Sequence, residues 1–149
     1  MPDDMQVTVY NALRTAQEKY TYFLLAAAGA AIAFAINQTH DTKLAWTQLP
    51  LGLSVLCWGV SFFFGCLHLQ YGSDILYDNA EMLRMQSGVH PMVGSDSKHI
   101  AAASQIMREI MEKKSNNSNR YANIQFRLVP IGAVLYLIWH IYQMYLRAL

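Results

Sequence analysis

Charge is scarce in this sequence. Asp, Glu, Lys and Arg make up 14% of its 149 residues, against roughly 25% in ordinary soluble domains. The net charge of +1 argues against a nucleic-acid partner, because neutralising phosphates takes a concentrated excess of Lys and Arg. Cysteine is scarcer still, at two residues. Cys57 and Cys66 sit in one apolar block, nine residues apart. On a helix that spacing puts them about 13.5 Å apart along the axis, beyond disulfide reach. They do not have zinc-ligand spacing either, and read as small packing residues.

Catalytic signatures are missing as well. The chain contains no HExxH, no Gly-x-Ser-x-Gly, no P-loop and no GxGxxG. His40, His68, His90, His99 and His140 are scattered. His90 and His99 share a loop and its exit, but no third ligand suggests itself. The expectation is a protein that is not an enzyme and needs no metal or cofactor. The acidic start (Asp3, Asp4) and the late onset of the first apolar block predict a retained first span in place of a cleaved signal.

What the sequence does have is long apolar runs. Tyr20–Gln38 carries no charge, Leu49–Leu69 has His68 as its sole ionisable group, and Leu128–Leu146 has only His140. Each is long enough to cross about 30 Å of hydrocarbon at about 1.5 Å per residue. The expected fold class is therefore an all-α integral membrane protein with three transmembrane helices and cytoplasmic amphipathic helices between spans two and three. The expected organisation is a cytoplasmic N-terminal helix (1–19), a transmembrane hairpin (20–69), a cytoplasmic helical segment (70–127), and a third span with a short outer C-terminus (128–149).

Orientation follows from the basic residues. Arg14, Lys19, Arg84, Lys98, Arg108, Lys113, Lys114, Arg120 and Arg127 fall on one side of the spans, and only Lys43 and Arg147 on the other. The positive-inside rule then places the N-terminus and the long second connection in the cytoplasm and the C-terminus outside, as in a bacterial inner membrane. Trp46, Trp139, Tyr142 and Tyr145 suit the outer aromatic belt.

Outside the spans, Tyr71, Asp74, Asp78 and Glu81 share roughly one helix face. This acidic stripe reads either as a cation-selecting inner mouth or as a solvated face with a Glu81–Arg84 pair. Gly88–Ser97 is a loop by composition, with Ser95 or Ser97 as a cap for the helix that follows. From Lys98 to Lys114, the residues Ile100, Ala103, Ile106, Met107 and Ile110 form an apolar stripe suited to docking a cytoplasmic protein partner. Ser115–Arg120 reads as a polar turn.

Within the spans, Tyr136, His140 and Gln143 form a polar ridge. It reads as a pore or proton-path lining, or else as a set of interhelical hydrogen-bonding groups. Small residues mark helix packing: Gly29 with Ala33, Ser61 with Gly65, and Gly59 in a heptad row with Gly52 and Cys66. Spans one and two are expected to form an antiparallel hairpin. Taken together, the residues suggest a small non-enzymatic membrane protein. The leading reading is a homo-oligomeric channel or pore-forming effector gated by its cytoplasmic helices, and the alternative is an anchoring accessory subunit that docks a partner through 98–114. Its partners would be the lipid bilayer and further copies of itself.

Overall fold

The computed structural model describes residues 2–39, 46–88, 90–94 and 96–148. His40 and Lys43 of the first connection, and the candidate cap Ser95, lie outside them. Helix α1 spans Pro2–Thr39, a short 3-10 turn follows at Trp46–Gln48, α2 spans Leu49–Gln86 and α3 spans Ser97–Ala148. All three helices are long and apolar enough to cross a membrane. No strand occurs among the described residues.

Residues 70–86 prolong α2 past the apolar run, as their unbroken helical pattern suggests. Two expectations need correction. The amphipathic 98–114 stretch is not a separate helix, because 98–127 belong to α3. The expected polar turn at Ser115–Arg120 is helical. Serine and asparagine are weak helix formers because their side chains compete for the backbone. That preference is small, no Gly or Pro interrupts 98–129, and Ser118 is buried against α2. Tertiary packing outweighs local propensity here.

The helix ends are built by ordinary capping chemistry. α2 stops where Gly88 takes the left-handed conformation (φ 70°) and its N–H reaches the Met85 carbonyl at 3.0 Å; a residue with a Cβ would be strained there. At the start of α3 Asp96 acts as a cap. Its Oδ1 accepts the Lys98 N–H at 3.0 Å, and its carbonyl accepts the Ile100 N–H at 2.9 Å. Ser97 is the first residue of the helix itself.

The chain divides into two compact units. The first, Met1–Cys66 with Ala122–Leu149, is a three-helix bundle. Its core joins Ala28 and Ala35 of α1, Leu51 and Trp58 of α2, and Trp139 of α3. α1 and α2 run antiparallel, with Leu25 beside Gly65 and Ala35 sharing the core with Leu51. Within this unit the buried positions of α2 are Leu51, Ser54, Trp58, Ser61 and Gly65, alternating steps of three and four. Those of α3 are Gln125, Gly132 and Trp139, one heptad apart. This is the spacing of a coiled-coil seam. The expected heptad row Gly52, Gly59 and Cys66 lies one residue off that seam and is exposed.

The second unit, Leu67–Tyr121, is a two-helix hairpin. Met85 is its buried apolar residue on α2, and Ser104 and Ser118 are buried on α3. They continue the heptad count that places Gln125, Gly132 and Trp139 inside the bundle.

Candidate functional site

Ser54, Trp58 and Ser61 of span two are buried and paired with backbone carbonyls. Ser54 is fully buried, and its hydroxyl donates to the Leu51 carbonyl on its own helix at 2.7 Å. Ser61, also fully buried, donates across to the Gln125 carbonyl at 3.0 Å. The Trp58 indole N–H donates to the Val129 carbonyl at 3.2 Å. Both acceptors lie on the N-terminal side of Pro130, which stands inside α3 and has no N–H to give the Phe126 carbonyl. In lipid a proline is tolerated where neighbouring helices supply donors to the loosened backbone. Ser61 and Trp58 donate to the carbonyls five and one residues before it.

Close approach at this level depends on two glycines. A Cβ on Gly132 would sit 2.5 Å from Trp58 Nε1, and one on Gly65 would sit 2.5 Å from Gln125 Nε2. The predicted packing residues therefore separate. Ser61 and Gly65 lie in the seam, whereas a Cβ on Gly29 or Gly59 would meet nothing within 4 Å, and Ala33 is exposed. Gln125 is 1% exposed and its amide nitrogen has no partner.

The polar ridge of span three is also divided. The Tyr136 hydroxyl donates to Gln38 Oε1 of α1, and its ring lies 5.9 Å from Trp58 and 5.7 Å from Trp139. His140 is half-buried and stacks on Tyr136 with an interplanar angle of 12°. Gln143 is half-buried. Tyr136 thus belongs to an interhelical aromatic cluster in the interior of this chain.

In the hairpin unit, the α2 stripe meets partners on α3. His68 Nδ1 lies 3.0 Å from the Ser118 carbonyl and 2.8 Å from its hydroxyl. A histidine beside a serine invites comparison with a nucleophile and its base. However, Ser118 is only 5% exposed and both groups also face main-chain carbonyls, so the pair clamps two helices. Asp78 pairs with Lys114, with both side chains partly buried. Glu81 pairs with Arg84 at 3.4 Å and with His90 at 2.9 Å. Asp74 alone of the three predicted acids is exposed. The docking stripe splits by helical phase: Ile100, Ala103 and Met107 are half-buried, while Ile106 and Ile110 are 59% and 42% exposed.

Sequence reasoning passed over Ser54, Trp58, Ser118 and Gln125. Their signal was spacing: Ser104, Ser118 and Gln125 stand at multiples of seven along α3. Among the described residues no three His, Cys, Asp or Glu side chains gather as a metal site would require. In comparison with known proteins, the chain matches no protein family, no curated protein and no solved structure.

Proposed function

We propose that this chain works in the membrane as a homo-oligomer, a channel or pore-forming effector whose Leu67–Tyr121 hairpin gates or assembles it. The observation that carries the reading is the division of the span residues. The interior of one chain is filled by Trp58, Gln125 and Trp139, so a conduit needs several copies. Gly29, Ala33 and Gly59 stand open at the surface, where close backbone approach by another helix is cheapest in lipid. His140 and Gln143 are the candidate lining groups, since Tyr136 is engaged by Gln38.

Nine basic residues against two support a cytoplasmic N-terminus and hairpin and an outer C-terminus. Helix lengths support the division of labour: 38 residues of α2 and 52 of α3 measure about 57 and 78 Å at 1.5 Å per residue, well beyond about 30 Å of hydrocarbon.

The test is the oligomeric state in nanodiscs, followed by conductance or dye release from reconstituted vesicles. A closed ring with conductance supports the proposal; a monomer with silent vesicles overturns it. The exposure of Ile106 and Ile110 favours one second reading, an anchoring subunit that docks a soluble protein there. In that case the chain is monomeric or dimeric, and changing both residues to Ser abolishes co-purification of a partner.

A further inference from the structure

The connection between α2 and α3 holds a histidine with both ring nitrogens engaged. His90 side-chain exposure is 10%. Its Nδ1 lies 3.2 Å from the Met92 backbone nitrogen, which donates its N–H. Its Nε2 lies 2.9 Å from Glu81 Oε1 on the last turns of α2. A backbone N–H can only donate, so Nδ1 must present its lone pair and the ring proton must sit on Nε2, aimed at Glu81. The same turn is closed by the Gly94 N–H on the His90 carbonyl at 3.1 Å, with Gly94 in the left-handed conformation (φ 66°). It carries Met92 outward, 91% exposed.

We propose that His90 is an acid-released clasp: neutral, it ties the Met92 turn to Glu81 of α2, and protonated, it keeps Glu81 but expels the Met92 N–H. A second ring proton has only Nδ1 to occupy, and there it confronts an N–H donor. Protonation also turns the Glu81 contact into an ion pair, so the two bonds respond in opposite directions and the turn opens while its root holds. The charged groups that face the ring are on α2, namely Glu81 and, through it, Arg84. At the start of α3, Asp96 is occupied by the Lys98 N–H and lies 3.7 Å from His99. The occupant of Nδ1 is therefore backbone, and no carboxylate reaches it among the described residues. The clasp concerns the hairpin alone and does not depend on what the spans conduct.

The experiment follows the ring nitrogens and the Met92 amide by NMR, using the full chain in nanodiscs, from about pH 8 to about pH 5, the interval in which imidazoles ordinarily change charge. The expected result at high pH is an Nε2–H tautomer with a protected Met92 amide. As the ring protonates, Met92 exchange corrected for its intrinsic pH dependence should rise on the order of tenfold, the factor for losing one hydrogen bond of ordinary strength. In His90→Gln the corrected rate should be independent of pH. Glu81→Ala should keep the Met92 response and lose the retained contact. An Nδ1–H tautomer at high pH, or Met92 protection that survives ring protonation, overturns the clasp.

Discussion

Replacing Gly132 by alanine tests the bundle at its tightest point. The added Cβ would lie 2.5 Å from Trp58 Nε1, 2.7 Å from Cδ1 and 3.0 Å from Cε2. An indole cannot bend out of the way. It is 5% exposed, bonded to the Val129 carbonyl and packed on Tyr136. Overpacking of this kind costs about 1–3 kcal/mol, and loss of the interhelical hydrogen bond adds about 0.6–1.7 kcal/mol in a membrane. Against this, alanine gains up to about 1 kcal/mol of helix propensity over glycine. The net expectation is a loss of about 1–3 kcal/mol, measured by SDS titration of the protein in mixed micelles with circular dichroism as the readout. In a Trp58→Leu background the clash is gone, and the same substitution should be neutral or stabilising. If G132A is as stable as the parent, or loses the same amount in both backgrounds, the placement of Trp58 over Gly132 is wrong.

Further outcomes follow from the same geometry. Gly29→Ala and Gly59→Ala meet open space, so monomer stability should hold or rise by up to about 1 kcal/mol, while a bulky Leu at either position should abolish a homo-oligomer seen by native mass spectrometry. Asp96→Ala removes the α3 cap and should cost about 1 kcal/mol, visible as faster hydrogen exchange confined to residues 97–100. Lys114→Met leaves the partly buried Asp78 carboxylate without its cation; a loss of about 1–3 kcal/mol that shrinks when Asp78→Asn is added would show the pair is coupled. Cysteines introduced at Lys98 and Arg147 should label from opposite faces of sealed vesicles, and labelling from one face would reverse the charge-based orientation.

Hydropathy made three helices legible, because an uncharged run of about twenty residues has few other uses. Gly, Pro and Ser content marked the loop before α3, where Gly88 and Gly94 adopt positive φ, although Ser97 already belongs to the helix. The continuous α3 was harder to read, since Ser115–Arg120 looks like a turn by composition and becomes helix only because Ser118 is buried against His68.

By itself the sequence determined an all-helical chain with three membrane-length apolar segments, and a charge asymmetry that any orientation must respect. Both are properties of the local chain. Tertiary structure decided which face of each helix turns inward. In lipid, apolar side chains gain little by choosing one face over another, so packing fit and hydrogen bonds set the rotation. That choice put Leu51, Trp58 and Gly65 in the seam and left Gly52, Gly59 and Cys66 outside it, one residue away. It also drew Tyr136 onto Gln38 and gave His90 a partner on each ring nitrogen. The first joins residues 98 positions apart; in the second the Met92 N–H is a neighbour two residues on, and only the Glu81 contact depends on how the turn folds back onto α2.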